Sequence, residues 1–375
     1  MIESRRARLA VVVSSDRRRG AEVFGEALAA GLGQRGWDVR LFALSEGDRR
    51  SPRIDAEPMA AVAADTLGKL DRTVVTALRR RLRTWEPAIV LAYGGPSVQY
   101  STVAVRSLWR RPRLVVVSIG DPMFWIRSRR HARLRSLLYA GADRVLSVAA
   151  ATTTPLMESL GVAPAKIRVA ATGVPDRFFD IERDPRGTAL RIVVIGALSA
   201  EKDPLAAIEV VATVAATTPV ELRILGSGPL SGEVAAAVRA GGLGDRVELC
   251  GSVEDIAPHL AWADVLLQTS KSEGLPGVVL EAGAAGVPSV VFDVGGCAEA
   301  VVDEETGVVV AAGDGVGAAA ALVDLAAHRD RLTAMGQAAR RHMAASYPLA
   351  TAIDRYHQLL LDELEAARRQ PAVTR

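Results

Sequence analysis

Short apolar runs alternate with helical segments along the whole chain. Runs such as Arg8–Ser14 and Leu190–Ile195 are apolar almost throughout, which is typical of strands buried on both faces of a sheet. Segments between them, such as Ala21–Gly36, Thr66–Trp85 and Asp203–Ala216, repeat apolar residues at helical spacing. This alternation predicts an α/β fold in which helices cover parallel sheets. The remaining predicted strands are Asp38–Leu44, Ala88–Ala92, Leu114–Ser118, Arg144–Val148, Ile167–Ala170, Glu221–Leu225, Val247–Leu249, Val265–Leu267, Ser289–Phe292 and Val308–Val310.

A polar segment divides the pattern into two similar halves. Residues 179–188 contain Pro185 and Gly187 and have no apolar periodicity, so we expect a linker there. The sequence therefore predicts two Rossmann-like domains, residues 1–184 and 185–347, with ligands bound at the carboxyl ends of the strands, in a cleft between the domains.

Composition narrows the class of protein. The chain has 375 residues, of which 49% are apolar, enough for two sizeable cores. Its two cysteines, Cys250 and Cys297, form no CxxC pair, and its five histidines have no ligand spacing; we therefore expect no disulfide framework and no metal site. Charges interrupt the N-terminal segment, so we expect no signal peptide. The longest charge-free run is polar, so we expect no membrane span. We therefore expect a cytoplasmic location.

Charge is distributed unevenly between the two halves. Residues 1–185 hold 31 Lys and Arg against 19 Asp and Glu, whereas the remainder of the chain has a net charge of −9. A basic half and an acidic half suggest domains with different partners. The basic residues lack interleaved aromatic residues, so nucleic acid is not an expected partner.

The stretch from Ser270 to Pro288, SKSEGLPGVVLEAGAAGVP, has the pattern of an anion site. It follows an apolar strand, breaks at Gly274 and enters a helix with Pro276 near its first position. The N–H groups of the next residues, Gly277, Val278 and Val279, would point out of the helix start, a suitable place for a phosphate or diphosphate.

Two carboxylates bracket this predicted anion site. Glu273 precedes the helix, and Glu281 lies four residues beyond Gly277, on the same helical face. Carboxylates would repel a phosphate unless they bind hydroxyl groups of the same ligand, which points to a sugar and a ribose. Two solvated glutamates at an ordinary strand–helix corner are the alternative.

The order of motifs resembles glycosyltransferase family 4, the retaining nucleotide-sugar transferases of GT-B fold. GAEVFGEALAAGLGQRGWDV (20–39) resembles the family's first helix and second strand, and TGVPDRFF (172–179) resembles the end of its N-terminal domain. IGALSAEKDP (195–204), ILGSGP (224–229), CGSVED (250–255) and SEGLPGVVLEA (272–282) follow in the expected order. The helix after Tyr347-Pro348 resembles one that crosses back, which implies that residues 348–375 pack onto the N-terminal domain.

The resemblance implies a hexosyltransferase that uses a UDP- or GDP-type sugar donor and needs neither a cofactor nor a metal. Glu281 would bind the ribose hydroxyls, Glu273 would face the transferred sugar, and Lys202 would neutralise the diphosphate. The backbone near Val253 and Glu254 would meet the base. The nucleotide-sugar site would also include Gly20, approaching from the other domain, Gly196, and the stretch Gly274, Leu275, Pro276, Gly277 and Val278.

Two positions depart from the family's pattern. Ala197 stands where relatives often have a second cation, so we expect one of Arg17, Arg18, Arg19 or Lys271 to replace it. Asp121 stands near the place where many relatives have a histidine. It is either a carboxylate on the acceptor side, and then a candidate catalytic residue, or the start of a turn.

Membrane contact and the type of reaction remain open at this stage. The segment 127–139, RSRRHARLRSLLY, either presents a basic amphipathic surface to an anionic membrane or lipid-linked acceptor, or packs its leucine stripe into the core. The acceptor could equally be a small molecule or a glycan. The leading function is retaining transfer to an acceptor hydroxyl; the alternatives are a nucleotide-sugar epimerase or hydrolase of the same fold, and a non-catalytic nucleotide-sugar-binding subunit.

Overall fold

The structure is a computed structural model that describes residues 6–46, 53–59, 70–124, 126, 128–184 and 187–369. The chain forms two compact units, residues 1–171 with 350–375, and residues 172–349. The strands are β1 Arg8–Ser15, β2 Asp38–Ser45, β3 Glu57–Pro58, β4 Ile89–Tyr93, β5 Arg113–Ser118, β6 Arg144–Ser147, β7 Ile167–Val169, β8 Leu190–Ile195, β9 Val220–Leu225, β10 Val247–Gly251, β11 Val265–Gln268, β12 Ser289–Phe292 and β13 Gly307–Val310. The helices are α1 Gly20–Gln34, α2 Arg72–Trp85, α3 Gly95–Arg106, α4 Arg129–Ala140, α5 Thr153–Glu158, α6 Pro204–Ala215, α7 Ser231–Ala240, α8 Ala257–Trp262, α9 Gly277–Ala284, α10 Cys297–Ala300, α11 Gly315–Ala327, α12 Arg329–Ser346 and α13 Leu349–Arg369.

The first unit is built on a seven-stranded sheet of order β3-β2-β1-β4-β5-β6-β7. Its paired strands are all parallel, with Val11 opposite Leu41 on one side and Leu91 on the other. These central strands carry apolar residues throughout because helices cover both faces of the sheet. The fold predicted for this half is confirmed, and of its described strands only the two-residue β3 was not predicted.

Helix α13 packs within the first unit, as the resemblance implies for the terminal helix. A Cβ on Gly31 of α1 would lie 2.5 Å from the Cδ1 of Ile353, so a larger residue at this position would force the Ile353 side chain to shift. Farther along α13, the carboxylate of Glu363 is buried and accepts hydrogen bonds from Arg113 and Arg144. One face of α13 therefore packs within the first unit through apolar contacts and through a buried ion cluster formed by Glu363, Arg113 and Arg144.

The second unit is built on a six-stranded parallel sheet of order β10-β9-β8-β11-β12-β13. Its core is almost entirely aliphatic, with Val211, Leu222 and Leu322 among its fully buried members. Strands β8 and β11 are neighbours in this sheet although about seventy residues separate them in sequence. Because both strands run in the same direction, the loops that follow them lie side by side.

The compact units separate earlier in the chain than the predicted linker. Residues 172–184 bond within the second unit: Val174 donates its N–H to the carbonyl of Tyr347 at 2.8 Å, and Arg183 bonds to the carbonyl of Ala263. The predicted boundary between 184 and 185 adjoins residues 185 and 186, which lie outside the described residues.

Two helices differ from the sequence prediction. Helix α2 begins at Arg72 rather than Thr66, because the carboxylate of Asp71 accepts the N–H of Thr73 and caps the first turn; residues 60–69 lie outside the described part. In α4 the predicted leucine stripe packs inward only in part, because Leu138 is half-buried and contacts the core. Leu134 and Leu137 are exposed, and the buried positions of α4 are Arg135 and Tyr139.

Candidate active site

The candidate active site of the second unit is formed by loops at the carboxyl ends of β8, β9, β11 and β12. Tight backbone approaches hold these loops together. Gly226 has a φ of +134°, and a Cβ there would lie 1.8 Å from the carbonyl oxygen of Gly196. Gly295 has a φ of +55°, and a Cβ there would lie 2.0 Å from the carbonyl oxygen of Glu273. Only glycine fits either position, so these residues give the site its shape.

Glu273 and Lys202 form an ion pair at the centre of these loops. The Nζ of Lys202 lies 2.7 Å from both carboxylate oxygens of Glu273, and Glu273 is only 5% exposed. The hydroxyl of Ser270 donates to the same carboxylate at 2.7 Å, and the amide of Gln268 donates to it as well. These three donors fix the orientation of the Glu273 side chain.

Electrostatics around the pair favour a charged lysine. Burial opposes the charge of Lys202, but the carboxylates of Glu273 and Glu201 outweigh it, so the pKa of Lys202 is raised. Burial raises the pKa of Glu201; Lys202 lowers it and Glu273 adds to the rise. Burial, followed by the negative charge of Glu273, raises the pKa of the neighbouring Cys297 thiol to about 12. Cys297 is therefore a buried neutral thiol, poorly suited to act as a nucleophile.

The predicted helix start is present and slightly displaced. Helix α9 begins at Gly277, with Pro276 at its N-cap position. The N–H of Val279 donates to the carbonyl of Pro276 at 3.0 Å, so the expectation of three free N–H groups is wrong for Val279. The tight first turn satisfies that group internally. The N–H groups of Gly277 and Val278 have no acceptor among the described residues.

The other candidate residues of the second unit surround this centre. Glu281 is half-buried on α9. Gly196 directly follows β8 and approaches the side chain of Lys202, whereas Val253 and the exposed Glu254 follow β10. The neighbouring residues Gly274, Leu275 and Pro276 are buried; Gly277 is exposed. These positions share one edge of the sheet, and their roles in binding remain a prediction.

Two residues predicted for the site belong to the first unit. Gly20 is the first residue of α1, and nothing lies within 4 Å of the place where a Cβ would stand. Asp121 follows β5, and its carboxylate accepts the N–H of Met123 at 2.8 Å. This contact forms the turn named as the alternative for Asp121.

Candidate replacements for the missing cation at Ala197 lie in both units. Lys271 is exposed and pairs with Asp203 at 2.7 Å. In the first unit Arg17 is half-buried, while Arg18 and Arg19 are exposed.

Sequence reasoning missed the residues that support Glu273. Gln268 ends the apolar run of β11, and a polar residue at the end of a buried strand was the available signal. The turn Gly295-Gly296 was missed too; Gly296 donates its N–H to the carbonyl of Gly274 at 2.6 Å and closes the site from the β12 side.

The described ranges contain neither a candidate metal centre nor a candidate membrane span. Within the described ranges, no group of three or more His, Cys, Asp or Glu is placed to share a metal ion. No helix in the described part of the chain has both the length and the apolar character needed to cross a membrane.

Comparison with protein families gives a match for each half of the chain. Residues 18–178 match the model described as Glycosyltransferase Family 4. Residues 189–328 match the model described as Glycosyl transferases group 1.

Curated relatives are similar over different lengths. An exopolysaccharide phosphotransferase of Streptomyces coelicolor is 31% identical over 340 residues, which are 89% of this chain and 33% of the relative. An N-acetyl-alpha-D-glucosaminyl L-malate synthase of Bacillus anthracis is 29% identical over 144 residues, 38% of each protein. The chain thus spans about a third of the length of these two relatives. Glycogen synthase of Mycobacterium tuberculosis is 28% identical over 306 residues, which are 77% of this chain and 72% of that protein.

Solved structures share the fold. Sucrose-phosphate synthase from Thermosynechococcus elongatus superimposes with a TM-score of 0.82 at 18% identity, covering 96% of this chain and all of that one. Anabaena HepE in complex with UDP and glucose gives a TM-score of 0.79 at 17% identity, covering 95% and 100%.

Proposed function

The chain belongs to the glycosyltransferases of family 4 and group 1, and from this premise we propose that it transfers a hexosyl group from a nucleotide-diphosphate donor to an acceptor hydroxyl with retention. The observation that carries the proposal is the ion pair between the buried Glu273 and the half-buried Lys202, with the open N–H groups of Gly277 and Val278 following Glu273 closely in sequence. A cation and a helix start suit a diphosphate, and an oriented carboxylate suits sugar hydroxyls.

Lys202 can donate hydrogen bonds to the Glu273 carboxylate and to the diphosphate at the same time. Its ammonium group has three N–H donors, and the two contacts with Glu273 leave one for a phosphate oxygen. The start of α9 adds the N–H groups of Gly277 and Val278 and the positive end of the helix dipole. These groups would stabilise the charge that the leaving diphosphate gains in the transition state.

In the proposed reaction the bond between the anomeric carbon and the diphosphate oxygen breaks, and the acceptor hydroxyl oxygen bonds to the same face of that carbon. The acceptor proton passes to the departing diphosphate. Glu273 faces the sugar as an oriented hydroxyl acceptor, and Glu281 binds the ribose. The backbone at Val253 and Glu254 meets the base. This scheme needs no protein nucleophile and no metal, and we propose both properties for this protein.

The donor base is proposed to be uracil or guanine. One solved structure of similar fold is described as a complex with UDP and glucose, and a relative 35% identical over 135 residues is named a GDP-mannose-dependent mannosyltransferase of Mycobacterium tuberculosis. The experiment that tests the function is a panel of UDP- and GDP-sugars, each assayed for nucleotide release with and without acceptors. Acceptor-dependent release supports transfer; release or rearrangement without any acceptor indicates hydrolysis or epimerisation, and binding without turnover indicates a non-catalytic subunit.

We also propose a cytoplasmic location, with contact between the first unit and an anionic membrane surface. Cys250 and Cys297 are both free, which suits a reducing compartment. On α4, Leu137 is 63% exposed and Leu134 is exposed beside Arg130 and Arg133, a combination that fits the headgroups and acyl boundary of anionic lipid.

Vesicle sedimentation tests the membrane contact. The protein should bind anionic vesicles at low salt and dissociate as ionic strength rises, because the Debye length falls to about 8 Å at physiological salt. Neutralising Arg129, Arg130 and Arg133 together should weaken the binding. Absence of binding even at low salt would contradict the membrane contact.

A further inference from the structure

A buried arginine without a partner faces the start of helix α3 in the first unit. Arg135 on α4 is 6% exposed, yet its guanidinium has no hydrogen bond or ion pair among the described residues. Its two terminal nitrogens lie 3.7 and 4.0 Å from the place where a Cβ on Gly95 would stand. A buried guanidinium keeps its charge at neutral pH, and a buried charge without a counter-ion is costly. The arrangement calls for an anion.

The helix start that faces Arg135 is itself open to a ligand. Helix α3 begins at Gly95, and Pro96 next in sequence has no N–H. The N–H groups of Gly95 and Ser97 have no acceptor among the described residues. Both the arginine and the helix dipole place positive charge at this point, so they repel each other until an anion lies between them.

Polar and apolar side chains line the small pocket at this place, and no carboxylate stands among its described lining residues. Gln99 of α3 is also 6% exposed, and its side-chain amide has no hydrogen-bond partner in the described part of the chain. His131 adds an imidazole at the edge. The lining residues are Gly95, Val98, Gln99, His131, Leu134, Arg135, Leu138 and Tyr139. Two polar side chains, each 6% exposed and with no protein partner in the described part of the chain, therefore face one pocket beside one helix start.

We propose that this pocket binds a phosphate group of the acceptor. A planar guanidinium and converging backbone N–H groups match the several oxygens of a phosphate. The pocket lies near the carboxyl end of β4, the edge of the sheet where α/β proteins bind ligands. The assignment to an acceptor rests on the proposed transferase function, whereas the binding of phosphate does not.

Binding of inorganic phosphate to the full-length protein provides the test. Titration calorimetry compares wild-type protein with Arg135→Gln, and with Arg133→Gln, which removes the same charge from an exposed position of the same helix. Phosphate bound in the second unit is common to all three proteins, so the difference isolates Arg135. We expect affinity at the first-unit site to fall at least about tenfold in Arg135→Gln and to remain unchanged in Arg133→Gln.

Gly95→Ala provides a second variant if Arg135→Gln fails to fold by circular dichroism. The added methyl would lie at an ordinary contact distance of 3.7 Å from the guanidinium, so the fold should be kept while the helix start is covered. Weaker phosphate binding in Gly95→Ala supports the proposal. Equal phosphate affinity in wild type and in the folded variants, or equal competition by acetate, overturns it.

Two further titrations identify the source of the phosphate. Arg135-dependent binding of sn-glycerol 3-phosphate supports a soluble phosphorylated acceptor. Arg135-dependent binding confined to phosphatidylcholine vesicles that contain phosphatidic acid supports a lipid-borne phosphate. If neither ligand depends on Arg135, the acceptor assignment is overturned. The nucleotide-release panel reports on the transferase function separately, so a failure of either proposal is recognised by its own assay.

Discussion

Removing the lysine of the central ion pair should destabilise the second unit and slow turnover. In Lys202→Met the carboxylate of Glu273, 5% exposed, loses its cation and keeps only the neutral donors of Ser270 and Gln268. Breaking a buried pair by removing one partner costs about 3–5 kcal/mol. Because the Lys202 side chain is 29% exposed, water can replace part of the contact, and we expect a loss of about 2–4 kcal/mol.

A double-mutant cycle separates this effect from simple loss of side-chain packing. Glu273→Gln introduced into Lys202→Met removes the unpaired charge and should recover about 1–3 kcal/mol of coupling energy. Urea denaturation followed by circular dichroism measures the stability of the four proteins. If the stability effects of Lys202→Met and Glu273→Gln add within about 0.5 kcal/mol, the two side chains are not coupled and the predicted ion-pair contribution is wrong. Turnover should stay about 30- to 1,000-fold slow in the double variant, because the diphosphate has still lost its cation.

The difference in stability between wild type and Lys202→Met should decrease at high pH. The pKa of Lys202 is raised, since the nearby carboxylates outweigh the opposing effect of burial. A group with a raised folded pKa contributes its full stability below the unfolded pKa, about 10.4 for lysine, and loses it as pH rises through the folded pKa. The stability gap between wild type and Lys202→Met should therefore be constant from about pH 7 to 9.5 and narrow above about pH 10.5. A gap that narrows below pH 9 would contradict the raised pKa.

Three further changes test the rest of the structure. Glu281→Ala should weaken nucleotide binding at least about tenfold, measured by calorimetry, because charge-assisted hydrogen bonds are worth about 1.5–3 kcal/mol; an unchanged dissociation constant would contradict the ribose assignment. Glu363→Gln should cost about 3–5 kcal/mol in urea denaturation, whereas Glu365→Gln, on an exposed position of the same helix, should cost almost nothing; similar losses would argue against the buried ion cluster. Gly226→Ala should lower the free energy of unfolding by about 2 kcal/mol or more through backbone strain and steric overlap. Gly232→Ala, with open space around the added methyl group, should leave it almost unchanged. Equal stability of the two variants would contradict the close approach of Gly226 to the carbonyl of Gly196.

The sequence predicted the strands well and the exposure of helix faces less well. Strands such as β4, in which all five residues are buried, can be recognised in the sequence because a strand buried on both faces contains few polar residues. In α4, periodicity located a leucine stripe, but it could not tell which face of the helix the rest of the unit covers. The long aliphatic stem of Arg135 can be buried as readily as a leucine, so composition gave no warning that it occupies the core side.

The sequence located the helix start at the centre of the candidate site, but not the contacts among the side chains around it. The glycine-flanked helix start was visible because proline and glycine carry local backbone information. The pairing of Glu273 with Lys202 depends on β8 and β11 being neighbours in the sheet, which no local pattern encodes. Sheet order also brings Gln268, at the end of β11, to the base of the site, where its amide donates a hydrogen bond to Glu273.

The missing cation at Ala197 leads to the last prediction, which concerns Lys271. Its backbone N–H donates to the carbonyl of Glu201 at 2.8 Å, and its Nζ pairs with Asp203 at 2.7 Å. Both contacts tie it to the short segment that also carries Lys202. The Lys271 side chain is 58% exposed, and an exposed ion pair contributes only about 0–1 kcal/mol, so exchanging Asp203 for a donor phosphate costs little.

If Lys271 makes this exchange, Lys271→Ala should lower turnover about 10- to 150-fold, the equivalent of a charge-assisted contact of about 1.5–3 kcal/mol. Binding of the nucleotide in the ground state should change much less, since the contact strengthens as the leaving group gains charge. Arg19→Ala tests a competing candidate of the first unit, and Arg239→Ala, which removes an exposed cation of α7, serves as the matched control. Slow turnover in Arg19→Ala and normal turnover in Lys271→Ala would assign the replacement to the first unit. Normal turnover in both would exclude Lys271 and Arg19 as the replacement and leave Arg17 and Arg18 as the remaining candidates.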